Sequence, residues 1–160
     1  MSTDTTDSVA PLREFVVAMT RLVESTREEA ALVAQGRRLL GALVARDDWL
    51  PEPFAQSDPA AYRQYLLYCD PLERFCVVSF VWGPGQRTPV HDHTVWGLVG
   101  MLRGAELCHE YEPKGDTVVS RQLEHTLKPG MVEAVSPTIG DWHVVANALA
   151  DRPSISIHVY

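Results

Sequence analysis

The chain has 160 residues, and its 14 Lys plus Arg against 21 Asp plus Glu give a formal net charge of -7. This length suits one domain around one hydrophobic core, and the acidic balance disfavours nucleic acids and anionic membranes as partners. Hydrophobic residues make up 46% of the chain, which is too many for an intrinsically disordered protein. We therefore expect a single folded domain over residues 1–160.

The cysteines and the N-terminus bear on the cellular compartment. The three cysteines (Cys69, Cys76 and Cys108) form no CxxC pair, and the N-terminal sequence MSTDTTDSVA lacks the basic and apolar regions of a secretory signal. No apolar run approaches the ~20 residues of a membrane-spanning helix. These features predict a cytoplasmic protein whose cysteines are packed thiols rather than disulfides or metal ligands.

The N-terminal part of the chain has helical patterning after a polar start. Residues 1–10 are aperiodic and rich in Thr and Asp, which predicts a mobile tail. From Pro11 the apolar residues recur at the i, i+3, i+4 and i+7 positions of an amphipathic helix. Ser25 or Thr26 can cap a second helix, because a hydroxyl there can accept a hydrogen bond from a free backbone N–H of the first turn.

A third short helix is predicted after two helix-breaking prolines. The segment SDPAAYRQYLLYC offers a cap at Ser57 or Asp58 and places Pro59 in the first turn, where proline is favoured. We therefore expect a helical N-terminal segment over residues 11–70.

Beyond Pro71 the chain changes to β-branched and aromatic runs separated by Gly and Pro turns. No run between turns is long enough for a crossover helix, so the pattern predicts an antiparallel sandwich or a small β-barrel over residues 71–160, with the helices covering one sheet. The predicted strands are 74–82, 95–102, 105–112, 117–127, 131–135, 142–147 and 154–160.

Two histidines lie two residues apart in the segment VHDHT. On a strand, His91 and His93 would present both imidazoles on one face. An isolated His-x-His pair is more often hydrogen-bonded or exposed than bound to metal, so the flanking residues decide how the pair is interpreted. Gly85 precedes His91 by five intervening residues, and Gly97 and Gly104 follow His93 at the spacing of the first cupin motif. Gly97 occupies the position where that motif usually has Glu.

A second segment resembles the second cupin motif. Gly130, Pro137, Gly140, His143 and Asn147 follow its order, with one extra residue between Pro137 and Gly140. His143 is thus the expected third ligand, and three neutral imidazoles would leave a divalent charge uncompensated and favour anionic ligands. Imidazole donors suit iron, zinc, copper or nickel, so the spacing alone does not select the metal. The remaining strand histidines, His109 and His125, are expected to face water.

The C-terminal segment SISIHVY alternates polar and apolar side chains. Ser156, His158 and Tyr160 share one face of the predicted strand. The polar face of an edge strand could lie in solvent. If the helices cover the apolar face, however, the polar face points into the barrel, where the three side chains could form a hydrogen-bonded relay.

Three segments (89–106, 140–147 and 154–160) together resemble the bacterial thiol dioxygenases of the cysteine dioxygenase family, and the resemblance extends over nearly the whole chain. It implies a cupin fold, a double-stranded β-helix with N-terminal helices on one sheet. It also implies that His91, His93 and His143 bind one mononuclear Fe(2+), and that Ser156, His158 and Tyr160 form the relay beside it. The implied reaction adds both atoms of the co-substrate O2 to a small-molecule thiol and gives a sulfinate.

Two positions resemble the 3-mercaptopropionate branch of that family. Gln64 stands where the cysteine-selective enzymes have an arginine, and Gly97 and Leu98 stand where those enzymes have a cysteine that crosslinks to the tyrosine. The resemblance therefore implies 3-mercaptopropionate as the first candidate substrate, cysteine as the second, and no crosslink to Tyr160.

A substrate carboxylate would also need a binding group in the protein. In the 3-mercaptopropionate branch an arginine that pairs with this carboxylate usually lies beyond the Ser-His-Tyr strand. In this chain Gln64 and Arg63 are the expected substrate-binding residues, and Arg87 and Arg152 are further candidates that on pattern alone are typical of a solvated surface.

Two other functions remain open from the sequence. A zinc or nickel cupin could carry out isomerase, hydrolase or lyase chemistry by polarising a carbonyl or activating water. A cupin that binds a small molecule without turnover is the alternative that is not an enzyme.

Overall fold

The structure is a computed structural model that describes residues 9–160, and residues 1–8 lie outside the described part. The tail predicted over residues 1–10 falls almost entirely outside it, and Ala10 is already helical. The described elements are α1 (Ala10–Ser25), α2 (Glu29–Val44), a 3₁₀ turn (Glu52–Phe54), β1 (Arg63–Cys69), β2 (Cys76–Trp82), β3 (Gly97–Arg103), β4 (Glu106–Lys114), β5 (Thr117–Leu127), β6 (Val132–Val135), β7 (His143–Asn147) and β8 (Ser154–Val159).

The strands form two antiparallel sheets. One sheet has the order β1-β2-β8-β3-β6, and the other has the order β5-β4-β7. Side chains of β2, β3 and β8 from the first sheet and of β7 from the second line one cavity, so the two sheets enclose it between them. The mainly antiparallel β architecture with N-terminal helices is therefore confirmed.

Both helices pack against the outer face of the five-stranded sheet. Met19 and Leu40 are fully buried in the same core as Ile157 of the central strand β8. A Cβ atom added to Gly100 on β3 would lie 2.8 Å from the side chain of Leu40, closer than any normal contact. The sheet therefore has no side chain at this point, which allows α2 to approach it closely.

The cap of α2 differs from the sequence prediction. The Glu28 carboxylate accepts hydrogen bonds from the backbone N–H groups of Ala30 and Ala31, so Glu28 is the cap and the helix begins at Glu29. Ser25 instead donates to the carbonyl of Leu22 and belongs to the end of α1. Because Glu28 satisfies the free N–H groups itself, the prediction of a Ser25 or Thr26 cap is wrong.

The third helix predicted after Ser57 is also wrong, and the helical segment predicted to reach residue 70 ends at Val44. Residues Arg63–Cys69 form β1 instead, paired antiparallel with β2. The Asp58 side chain accepts from the backbone N–H of Ala60, which is a short local turn and not a helix cap. A cap contributes only about 1 kcal/mol, and the interstrand ladder that adds β1 to the sheet outweighs it.

Within residues 9–160, neither helix combines the length and the apolar character that a membrane span requires.

We predict that Asp70 stabilises the β1–β2 connection through its charge. Its buried carboxylate accepts from the Arg74 guanidinium and from the backbone N–H groups of Leu72 and Arg74, and the Arg74 contact lowers the pKa of Asp70 to about 2. The pKa of Asp70 is thus lower in the folded state than the value of about 3.8 for the unfolded chain, so its charge stabilises the folded state fully above about pH 3.8. This stabilisation is lost as the pH falls to about 2.

Asp70→Asn should therefore lower the urea midpoint at neutral pH, and the difference from wild type should shrink as the pH falls through this range. The exposed carboxylate variant Asp151→Asn is the control and should leave the midpoint unchanged. An Asp70→Asn deficit that stayed constant down to about pH 2 would show that the charge is not responsible.

Candidate metal centre

Three histidine side chains converge at one end of the cavity. His143 Nε2 lies 3.2 Å from His91 Nε2 and 3.1 Å from His93 Nε2. Three nitrogens that bind one ion at about 2.1 Å, with angles of about 90–110°, lie about 3.0–3.4 Å apart. The two distances match the spacing of nitrogens that share a single ion.

The chain positions these rings through two backbone contacts. His91 and His143 form an isolated bridge, in which each backbone N–H donates to the other residue's carbonyl, at 3.1 and 2.9 Å. The Asp141 carboxylate accepts from the backbone N–H of His93 at 2.9 Å. Apart from this one bridge the segment of His91 and His93 is a loop fixed to the start of β7, so strand alternation is not what brings the two rings together.

The other ring nitrogens support a metal-binding role. His91 Nδ1 lies 3.1 Å from the carbonyl oxygen of Pro89, which can accept its proton, and His143 Nδ1 lies 3.6 Å from Cys108 Sγ, which can accept likewise. A proton on Nδ1 leaves Nε2 of the same ring unprotonated, and Nε2 of His91 and of His143 faces the place where the three histidines converge. Histidines that bind metals make this kind of contact through their second nitrogen, so the residues present fit a metal ion.

Burial favours the neutral form of two of these imidazoles. Burial, followed by the neighbouring histidines, lowers the pKa of His143 to about 3, and burial also lowers the pKa of His93. Neutral imidazole is the form that binds metal ions. These two imidazoles, of His93 and His143, are therefore ready to bind a cation at neutral pH without first losing protons.

The cavity beside the histidines has a volume of about 400 Å³ and contains no charged side chain among residues 9–160. Tyr62, Phe80 and Trp82 form an aromatic wall, in which the Tyr62 ring lies 4.5 Å from the Trp82 ring and 6.2 Å from the Phe80 ring. Gln64 supplies an amide on the same side. The cavity is thus mostly apolar, with a few neutral polar groups that can orient a small ligand.

Ser156, His158 and Tyr160 point into the barrel and are joined by hydrogen bonds. Ser156 Oγ lies 2.8 Å from His158 Nε2, and the Tyr160 hydroxyl lies 2.7 Å from His158 Nδ1. Burial holds the pKa of His158 well below its usual value and raises the pKa of Tyr160. His158 is therefore neutral and Tyr160 keeps its proton at neutral pH.

The Tyr160 ring occupies the space that the usual cupin glutamate would need. A Cβ atom on Gly97 would lie 2.8 Å from two carbons of this ring. The same ring stacks on His93, with centroids 5.5 Å apart and an interplanar angle of 23°. Gly97 thus brings the phenol beside the histidines and supplies neither a carboxylate nor a thiol.

A buried carboxyl group that the sequence analysis missed lies behind the relay. Glu106 on β4 is 2% exposed, lies beside Ser156 and Trp82, and has one oxygen without a hydrogen-bond partner. Burial raises the pKa of Glu106 to about 8, so the group is protonated at neutral pH. A charged residue within the apolar run of a predicted strand was the sequence signal that could have indicated it.

The structure separates the two predicted substrate-binding residues. Gln64 lines the cavity, opposite Phe80 in the β1–β2 register. Arg63 is the next residue on the strand and so points to the other face, where it forms an ion pair with Asp58. Arg63 is therefore not placed to bind a molecule in this cavity, and Arg87 and Arg152 are exposed.

The two histidines expected to face water are only partly exposed. His109 Nδ1 lies 2.8 Å from a Glu124 carboxylate oxygen, and His125 Nε2 lies 2.9 Å from a Glu133 carboxylate oxygen. His109 therefore has an acidic partner on the neighbouring strand β5, and His125 has one on β6 of the other sheet.

We predict that Glu106 makes the folded state less stable as the pH rises. Its pKa is raised from about 4.5 to about 8 in the folded state, so within this range the folded chain holds a proton that the unfolded chain releases. The unfolding free energy of wild type should therefore fall by on the order of a few kcal/mol as the pH rises between these values. Glu106→Gln, which has no carboxyl group to titrate, should not show this fall.

Urea titrations at both ends of this pH range measure the effect. Glu112→Gln, which changes an exposed carboxylate on the same strand, is the control and should match wild type. Equal pH dependence in wild type and Glu106→Gln would mean that Glu106 is already ionised at neutral pH.

Comparison with known proteins supports the fold and gives a weaker indication of the chemistry. A scan against protein-family models finds no match. The chain is 27% identical over 90 residues to cysteine dioxygenase type 1 of Rattus norvegicus, and the same values hold for the Mus musculus protein. The matched region is 54% of this chain and 44% of the relative, so the chain spans less than half the length of these relatives.

Three of the similar solved structures are bacterial proteins. A Klebsiella pneumoniae protein with a double-stranded β-helix domain has a TM-score of 0.53 at 17% identity, covering 68% of this chain and 83% of that one. TT1209 from Thermus thermophilus has a TM-score of 0.52 at 23% identity, covering 68% and 90%. A cupin superfamily protein from Desulfitobacterium hafniense has a TM-score of 0.50 at 14% identity, covering 69% and 86%. The chain has the cupin fold, a double-stranded β-helix, as the sequence predicted.

Proposed function

We propose that the protein is an iron-dependent thiol dioxygenase. The observation that carries this proposal is that the three histidines line the same cavity as His158 and Tyr160, which hydrogen bonds join to each other and to Ser156. The partial similarity to cysteine dioxygenase type 1 supports it. In the proposed reaction one thiol and one dioxygen give one sulfinic acid, so sulfur is oxidised, dioxygen is reduced, and no further reductant is needed.

His91, His93 and His143 would hold the ferrous ion. When bound, the ion would supply a site at which a thiolate and dioxygen react. The three imidazoles are neutral ligands, and the described residues that line the cavity include no carboxylate. The protein therefore leaves the divalent charge to be balanced by an anionic ligand, and a substrate thiolate has the required charge.

Tyr160 would donate a hydrogen bond into the cavity. Trp82 Nε1 can only donate, and it lies 3.4 Å from Ser156 Oγ. With a donor on its oxygen, Ser156 can give its own proton to His158 Nε2, and the His158 Nδ1–H then donates to the tyrosine oxygen. Every proton in the relay thus points toward the cavity, which leaves the phenol O–H free to donate to the substrate.

Protonated Glu106 supports the same direction of the relay. Its carboxyl group lies beside Ser156 and, when protonated, can donate to Ser156 Oγ in the same way as Trp82. The Phe80 ring stacks on His158 at 3.9 Å between centroids and holds the imidazole in plane. His158 and Ser156 therefore act as positioning residues for the Tyr160 hydroxyl.

The cavity walls also suit a small thiol carboxylate. Gln64, Tyr62 and Tyr160 offer neutral donors for a carboxylate, while the aromatic wall limits the entry of water. We infer 3-mercaptopropionate as the preferred substrate and cysteine as the next, because Gln64 lines the cavity at the position that distinguishes the two branches of the family resemblance.

The proposal predicts that iron-loaded protein consumes dioxygen with 3-mercaptopropionate and produces the sulfinate. With isotopically labelled O2, mass spectrometry should find both labelled atoms in the product. His143→Ala should lose tight iron binding and activity together, because it removes one of the three nitrogen ligands.

Two results would contradict this function. The first is the absence of O2 uptake with 3-mercaptopropionate, cysteine and cysteamine. The second is protein purified with zinc or nickel that gains no activity when reloaded with iron, a result that would favour a cupin with Lewis-acid chemistry.

The role assigned to the phenol predicts that Tyr160→Phe lowers the turnover rate by at least about a hundredfold, because a positioned proton donor is lost. Iron content should remain that of wild type, since the phenol is not a ligand. Tyr65→Phe is the matched control, because the Tyr65 hydroxyl donates to the carbonyl of Gln56 and does not line the cavity. Parallel loss of iron and activity in Tyr160→Phe would assign the tyrosine a purely structural role.

A further inference from the structure

A second group of metal-binding side chains lies on the other side of His143. Cys108 on β4, His125 on β5 and Glu133 on β6 each offer one donor atom, and the three atoms lie within 4.8 Å of one another. Cys108 and His125 are direct partners in the antiparallel β4–β5 register, while Glu133 belongs to the five-stranded sheet. The cluster therefore connects the two sheets.

Ordinary ion pairing accounts for only part of this arrangement. His125 Nε2 lies 2.9 Å from Glu133 Oε1, and His125 Nδ1 lies 3.8 Å from Glu110 Oε1. The two carboxylates already give both ring nitrogens of His125 a partner, so ion pairing does not explain why a thiol lies beside them. Cys108 is nevertheless 4% exposed and presents its sulfur to the same point. Its contact with His143 Nδ1 at 3.6 Å uses the sulfur only as an acceptor.

The charge and shape of the surroundings suit a cation. Cys108, Glu110 and Glu133 line a recess of about 160 Å³, and the partly exposed Glu133 gives access from solvent. Arg121 also lines the recess, but its guanidinium lies 3.0 Å from Glu110 Oε2 and forms an ion pair with that residue. A thiolate and the Glu133 carboxylate together carry two negative charges, which equal the charge of a divalent ion.

We propose that Cys108, His125 and Glu133 bind a divalent metal ion of the zinc type, at a site separate from the three-histidine centre. Thiolate sulfur, imidazole nitrogen and carboxylate oxygen are the donors that zinc takes in proteins, and three protein ligands leave its fourth position open to water or to Glu110. Binding would displace the thiol proton and join β4 and β5 to β6 across the two sheets.

A metal at this site would also act on the first centre through His143. As a bound thiolate, Cys108 becomes a stronger acceptor for the His143 Nδ1 proton than a neutral thiol. That proton fixes Nε2 as the unprotonated nitrogen that faces His91 and His93. Occupancy of the second site would therefore strengthen the ligand geometry of the first.

Cobalt(II) titration of the metal-free protein tests the proposal, because cobalt bound to a thiolate gives a near-ultraviolet sulfur-to-metal charge-transfer band. The three-histidine centre has no sulfur ligand and cannot give this band. We expect the band in wild type and in His91→Ala, in which the first centre is disrupted. We expect its loss in Cys108→Ser, which should still bind one cobalt ion at the histidines.

The other cysteines and ligands provide the controls. Cys69→Ser should retain the band, whereas Glu133→Gln and His125→Ala should weaken cobalt binding at this site by at least about tenfold. Because both side chains are partly exposed, these two variants keep the test valid if Cys108→Ser does not fold. Absence of the band in wild type, its survival in Cys108→Ser, or unchanged affinity in both ligand variants would overturn the proposal.

Discussion

The arrangement of the cavity depends on the burial of one face of β8 under the helices. Ile155, Ile157 and Val159 are at most 1% exposed in the core shared with α1 and α2. Full burial of an aliphatic side chain stabilises by about 1.5–3 kcal/mol, so a one-residue slip of β8 would cost several kcal/mol. Because side chains alternate along a strand, the same burial fixes Ser156, His158 and Tyr160 on the face toward the cavity.

The sequence predicted those parts of the structure in which a local pattern and the tertiary packing agree. The strands from β2 to β8 have clear apolar runs between turns, and the spacing around His91, His93 and His143 identified the residues that converge. Prediction from the sequence failed where a local signal competes with pairing to a segment that is distant in the chain. The Asp58–Pro59 cap pattern favours a helix, but pairing with β2 makes the following segment a strand. No local pattern shows that Asp141 fixes the loop of His93, because 48 positions separate the two residues.

His143 is the residue through which the two clusters contact each other. Its Nε2 faces the other two histidines, and its Nδ1 faces Cys108. An imidazole with one proton can be a donor at only one nitrogen, so the group that accepts at Nδ1 determines what Nε2 can do. Any change in the charge or orientation of Cys108 therefore reaches the three-histidine centre through a single ring, without movement of a strand.

Residue 97 and the Tyr160 ring share one small space in the barrel. Glycine at position 97 leaves this space to the ring. With a Cβ atom at residue 97, the Tyr160 ring would have to shift from its present position beside His93, because two of its carbons would lie 2.8 Å from that atom. A larger side chain would need more of the space filled by the phenol ring, whose hydroxyl lies 2.7 Å from His158 Nδ1. A carboxylate side chain at residue 97 and the Tyr160 ring in its present position would therefore compete for the same space. The three-histidine donor set is the one that leaves room for a proton donor beside it.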